Sequence, residues 1–110
     1  FLLGAATAAY QVEGGLDRCN WAAWEASGRN GGHFAGKACD VWNLFEADIA
    51  RMASLGLRML RFSVDWSRVE PTDGKFDATA LDRYALWCAR LNIIIPRKRV
   101  LYSNGLEGPK

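Results

Sequence analysis

With 110 residues, half of them hydrophobic, the chain is long enough to bury a core, but its composition fixes no sharper class. The 14 Lys and Arg against 12 Asp and Glu leave a formal charge of +2. These charges are scattered until a basic cluster at Arg97, Lys98 and Arg99, so nucleic acid is not the expected partner.

No apolar run approaches the roughly 20 residues that a membrane helix needs, so no membrane association is expected. Cys19, Cys39 and Cys88 lie far apart, form no C-x-x-C pair and leave one over if any two are bridged. A reduced, cytoplasmic compartment is the simpler expectation. The chain opens on Phe1-Leu2-Leu3-Gly4, which reads like a strand already under way. A start further upstream is expected, and a targeting signal there is left open.

Residues 1 to about 12 are apolar and small and end at Gly14-Gly15, which predicts a strand running into a loop. From Gly14 to Ala38 the sequence is rich in glycine and shows no sustained period, as expected of a long excursion over one end of a scaffold. Asp40 is placed to cap a helix over residues 41 to 55, with Val41, Phe45, Ile49 and Met52 at helical spacing and Gly56 as its stop. Leu57 to Val64 follows at once as a second strand.

Pro71 and Asp73-Gly74 mark a turn, after which Asp77 is placed to cap a helix over about 78 to 91 with a stripe of Leu81, Tyr84, Cys88 and Leu91. Asn92-Ile93-Ile94-Ile95-Pro96 is a β-branched run of the kind a buried parallel strand needs, and is expected to be the third strand. Alternating strands and helices predict an α/β fold with right-handed parallel crossovers. An open doubly wound sheet and part of an eight-stranded barrel both fit. With no G-x-G-x-x-G and no Walker-type loop after the first strand, the barrel is preferred: the first three strands and two helices of an incomplete (β/α)8 TIM barrel.

In such barrels the reactive groups lie at the carboxyl ends of the strands, which puts Gln11, Glu13, Arg61 and Asp65 to Arg68 at the rim. The Gln11 amide can donate and accept together, as recognition of neighbouring sugar hydroxyls requires; it would equally suit a turn-holding glutamine. Arg61 needs an anionic partner if buried: either an absent carboxylate of a functional site or a structural pair with Glu13 or Asp65. Trp21, Trp24 and Trp66 suit packing better than sugar stacking. The one histidine, His33, reads as a solvated loop residue, and Glu46, Asp48, Asp82 and Arg83 as solvated faces or local pairs.

The run Phe1-Leu2-Leu3-Gly4-Ala5-Ala6-Thr7-Ala8-Ala9-Tyr10-Gln11-Val12-Glu13-Gly14 resembles the amino-terminal signature of family-one glycoside hydrolases of the β-glucosidase type, departing at Leu3, where the family has an aromatic. Leu55 through Pro71, containing Arg61-Phe62-Ser63-Val64-Asp65-Trp66-Ser67-Arg68, resembles that family's second strand and following loop. Ala38-Cys39-Asp40 and Ala47-Asp48-Ile49 are similar to its first helix, and Asn20-Trp21 with Trp24-Glu25 to its microbial members.

The resemblance implies hydrolysis of β-glycosides with retention, a small-molecule β-glycoside as substrate, and no cofactor or metal. It also implies that Gln11 bonds hydroxyls of the non-reducing sugar and that Arg61 lies beside the nucleophilic carboxylate. Retention uses two glutamates about 5 Å apart; in the family they stand in an Asn-Glu-Pro and a Glu-Asn-Gly motif, and neither motif occurs in this sequence. No catalytic residue is therefore expected here.

The likeness runs over residues 1 to 96. Residues 97 to 110 are expected to be a divergent tail not native to the barrel. The alternative expectation is a short non-catalytic protein, derived from a glycosidase, that binds sugar or a partner.

Overall fold

The computed structural model describes residues 1–94 and 101–103. Three strands, β1 (Gly4–Ala6), β2 (Met59–Ser63) and β3 (Leu101–Ser103), form a parallel sheet in the order β1-β2-β3. Gly4 pairs with Met59 and Ala6 with Arg61, and Arg61 in turn pairs with Leu101. A Cβ on Gly4 would lie 2.6 Å from the Met59 carbonyl oxygen, so only glycine lets β1 approach β2 this closely.

Between β1 and β2 run α1 (Ala9–Val12), α2 (Asn20–Ala26) and α3 (Val41–Ser54); after β2 come α4 (Trp66–Val69) and α5 (Ala78–Ile94). In α3, Phe45 and Ile49 are buried while Val41 and Met52 pack against the same cluster, so the apolar stripe read from the sequence is the face that turns inward. Gly56 ends the helix at φ +76°, its N–H donating to the Ala53 carbonyl at 3.0 Å. Asp77 holds the start of α5, its Oδ1 accepting from the N–H of Thr79 at 2.9 Å and of Ala80 at 3.3 Å.

The core lies between one face of the sheet and helices α3 and α5. Leu60 and Phe62 of β2 meet Phe45, Ile49, Tyr84, Trp87 and Leu91 there, with Val69 of α4 closing one end. Trp87 is its centre: its ring stacks on Phe45 at 4.3 Å and meets Tyr84 edge-on at 5.1 Å and Phe62 at 5.9 Å.

Several expectations are corrected. The opening strand stops at Ala6, and the chain enters a helical turn at Ala9, whose N–H is held by the Ser63 hydroxyl at 2.7 Å. Gln11 is therefore on α1 and not on a strand end. The glycine-rich excursion contains α2, whose Trp21 and Trp24 share a face three residues apart.

Asp40 does not cap α3 with its side chain; it sits in the left-handed region at φ 54°, and its carboxylate accepts from Asn43 Nδ2 at 2.8 Å. The buried stripe of α5 is Ala80, Tyr84, Trp87 and Leu91, with Leu81 exposed, a rotation that brings the largest ring inward. Asn92, Ile93 and Ile94 continue α5, so the β-branched run does not open a strand. Ile95 and Pro96 lie outside the described residues. The third strand falls instead at Leu101–Ser103, within the segment expected to be a divergent tail.

Candidate active site

The carboxyl ends of β1 and β2 are joined by hydrogen bonds that continue past the strands. The Thr7 N–H donates to the Arg61 carbonyl at 2.8 Å, and the Ala9 N–H donates to Ser63 Oγ at 2.7 Å. The second bond fastens the first turn of α1, and with it Gln11, to the end of β2. Gln11 and Arg61 are both exposed. Arg61 alternates with the buried Leu60 and Phe62, so it stands on the sheet face turned away from the helices. Among the described residues no carboxylate pairs with its guanidinium.

Glu13 is the opposite case. It is 1% exposed, the one buried charged residue among those described. Its Oε2 accepts from Arg68 Nε at 2.9 Å, and both carboxylate oxygens lie 2.9 Å from the Tyr84 hydroxyl. That hydroxyl donates to Glu13 and accepts from the Asp65 N–H at 3.1 Å. Arg68 also donates from Nη2 to the Gly14 carbonyl, and its guanidinium lies 3.8 Å from the centre of the Trp42 ring. Arg83 covers the same ring at 4.5 Å and donates to the Trp42 carbonyl at 3.0 Å.

Burial pushes the Glu13 carboxyl up to about 6, against the Tyr84 and Arg68 hydrogen bonds that favour the charged form. Burial, together with the Glu13 charge, pushes the Tyr84 hydroxyl up as well.

Of the two pairings considered for Arg61, neither forms. Glu13 takes Arg68 in its place, and Asp65 uses Oδ1 to cap α4 at the Ser67 N–H, 2.9 Å away. The sequence reading missed Tyr84 as a polar partner, because at its place in the helical stripe it counted as an apolar residue. It missed Trp42 altogether. The Trp21-x-x-Trp24 spacing was the signal available for α2.

Around α2, Tyr10 stacks on Trp21 at 6.3 Å and Trp21 meets Trp24 edge-on at 5.9 Å, both tryptophans remaining exposed. Burial and the Glu25 carboxylate push the Tyr10 hydroxyl up. Trp66 donates from Nε1 to Glu70 at 2.7 Å, and His33 is exposed. Glu46 pairs across the helices with Arg90 at 2.8 Å, and Asp48 pairs locally with Arg51.

Chemically, the exposed rim offers an amide and a guanidinium. Glu13 and Asp65 are committed to internal hydrogen bonds, and no group of three or more His, Cys, Asp or Glu among the described residues could hold a metal ion. An amide can both donate and accept hydrogen bonds and a guanidinium donates to anions; neither Glu13 nor Asp65 is free beside them.

A family model described as glycosyl hydrolase family 1 matches residues 1–93. Thermostable beta-glucosidase B of Thermobispora bispora is 38% identical over 90 residues, covering 76% of this chain and 19% of that protein. Beta-glucosidase 7 of Arabidopsis thaliana is 41% identical over 78 residues, or 64% and 15% respectively. Among solved structures, a beta-glycosidase from Pyrococcus horikoshii superposes with a TM-score of 0.85 at 35% identity over 94% of this chain and 24% of the other. A family 1 beta-glucosidase from Thermotoga maritima gives 0.86 at 28% identity over 97% and 26%. The chain thus spans less than a fifth of these curated relatives and about a quarter of the solved ones.

Proposed function

The chain belongs to glycosyl hydrolase family 1, and on that premise we propose that it is the amino-terminal part of a (β/α)8-barrel enzyme that hydrolyses β-glucosides or related β-glycosides with retention. In this reading β1, β2 and β3 are the first barrel strands, and the helix-free face of the sheet is the barrel interior. Gln11 bonds hydroxyls of the non-reducing sugar. Arg61 lies beside the nucleophilic carboxylate and favours its ionised form, as a cation close to a carboxylate does.

The observation that carries the reading is the exposed Arg61, standing on the helix-free face with no carboxylate partner among the described residues. The substrate is a small-molecule β-glycoside. Retention requires two carboxylates across one glycosidic bond, and the motifs that hold them in the family are absent from this sequence. The chain by itself is inactive in this proposal.

The test is a graft in which residues 1–94 replace the matching amino-terminal segment of the Thermotoga maritima enzyme. Hydrolysis of nitrophenyl β-glucoside by the graft, with Gln11→Ala lowering kcat/KM at least about tenfold through lost sugar bonds, supports the assignment. A well-folded graft that hydrolyses no glycoside would overturn it.

The exposed pair Trp21 and Trp24 favours a second reading, a non-catalytic chain that binds sugar or a partner on this aromatic surface. Binding of β-glucosides by the 110-residue chain itself, lost in Trp21→Ala, would favour it over the first.

A further inference from the structure

We propose that Glu13 is a positioning residue for Gln11: its carboxylate, gripped by Arg68 and Tyr84, sets the helical turn that presents the Gln11 amide to the rim. The inference rests on the reading of Gln11 as a sugar-binding residue.

A single four-residue turn has no stability of its own, because forming one turn fixes several dihedrals for one hydrogen bond. The conformation of α1 is therefore dictated by its anchors. At its start, Ser63 Oγ accepts from the Ala9 N–H at 2.7 Å. Just past its end, the Glu13 N–H donates to the Ala9 carbonyl at 2.8 Å and the Glu13 carbonyl accepts from the Trp42 N–H at 3.1 Å. The Glu13 side chain is held by Arg68 Nε and the Tyr84 hydroxyl, both at 2.9 Å.

Gln11 lies between these clamps, two residues from the second. Its own side chain is exposed and makes none of these bonds. Its backbone position is set from outside, by β2 on one side and by α4 and α5 on the other. Reciprocally, α4 follows directly from the strand that carries Arg61, and the Asp65 N–H donates to the same Tyr84 hydroxyl at 3.1 Å. One buried carboxylate thus couples the turn bearing Gln11 to the segment that leaves β2 just beyond Arg61.

An error of about 1 Å in a binding amide can cost up to about a hundredfold in rate, so loosening the Glu13 clamp is expected to act through Gln11. The experiment is a double-mutant cycle in the same graft. Glu13→Gln and Tyr84→Phe are each combined with Gln11 intact and with Gln11→Ala, and kcat and KM for nitrophenyl β-glucoside are measured separately. With Gln11 intact, each variant is expected to lower kcat/KM about tenfold; with Gln11→Ala already in place, by less than about twofold.

Equal losses in both backgrounds would reduce Glu13 to a purely structural group and overturn the inference. A Gln11→Ala enzyme with unchanged kcat/KM would instead sink the reading of Gln11 beneath it, and the two failures are distinguishable. Tyr84→Phe removes one hydroxyl and keeps the ring in the core, so it decides the matter if Glu13→Gln fails to fold.

Discussion

Glu13 and Arg68 meet at 2.9 Å across 55 residues of sequence, Oε2 of the first accepting from Nε of the second, with the carboxylate 1% exposed. A buried pair of this kind gains little over a well-packed apolar pair, because two charges have been taken out of water. Its effect lies in what its loss leaves behind. The pair joins the loop after α1 to α4. Here the polar contact fixes geometry and the aromatic cluster around Trp87 supplies the cohesion.

Removing the cation should therefore cost more than the pair contributes. In the grafted enzyme, Arg68→Met is expected to lower unfolding stability by about 3 to 5 kcal/mol at neutral pH, because Glu13 is left buried and unpaired. Urea denaturation measures it. A loss under about 1 kcal/mol would show that solvent reaches the carboxylate.

The pH dependence follows from the same burial. The Glu13 carboxyl is pushed from an ordinary 4.5 up to about 6 in the folded chain, so between these values the folded state holds more protons than the unfolded one. The stability this contributes is fully present below about pH 4.5 and is lost as pH rises through about 6, a change on the order of 2 kcal/mol. Glu13→Gln has no such step. The difference in unfolding free energy between variant and parent, measured from pH 4 to about 7.5 so that other titrations cancel, should move in favour of the variant as pH rises.

The core makes a plainer prediction. Trp87 is buried and touches Phe45, Tyr84, Phe62 and Trp42 through ring contacts, the closest at 4.3 Å. Trp87→Ala should lower stability of the graft by about 3 to 5 kcal/mol, since the cavity cannot be closed by four rings held on three different elements. Thermal and urea midpoints should fall together.

Much of this architecture was legible where one physical signal dominates. The stripe through Phe45 and Ile49, the Gly56 stop and the Asp77 cap each follow from local chemistry, and the structure keeps all three. Ile93 and Ile94 misled because a β-branched run suits a buried strand and the end of a helix alike, and the helix stripe ending at Leu91 carried on through them. The partner of Glu13 depends on facing. Arg61 alternates with Leu60 and Phe62 and so points away from the helix layer, while Arg68, one helical turn into the next segment, points back to it. The strand parity was present in the sequence; the position of the Tyr84 hydroxyl between Glu13 and the Asp65 N–H was not, since it requires α5 to be docked.

Arg61→Lys tests the proposed role of the rim. Lysine keeps the charge but loses the planar fork that holds a carboxylate through two parallel bonds. In the graft, kcat is expected to fall by about two orders of magnitude. Unchanged turnover would leave Arg61 with no part in the chemistry.

The 110-residue chain made by itself is expected neither to form a stable monomer nor to hydrolyse glycosides. Among the described residues β1 and β3 each border the sheet on one side, and the face bearing Arg61 has no layer packed on it. Unpaired edges and an uncovered face invite association. Phe1, Leu2, Leu3, Trp21 and Phe76 add exposed apolar surface. The chemical limit is independent of the folding one, because Glu13 is sealed by Arg68 and Tyr84, and Asp65 is spent on the cap of α4. Neither of these two carboxylates is left to stand opposite an anomeric carbon. Mass by light scattering, the sharpness of thermal unfolding and release of nitrophenol from nitrophenyl β-glucoside should be measured on one preparation. Association or a broad transition with background turnover is the expected result; a monomer that melts sharply and turns over substrate would overturn both halves of the argument.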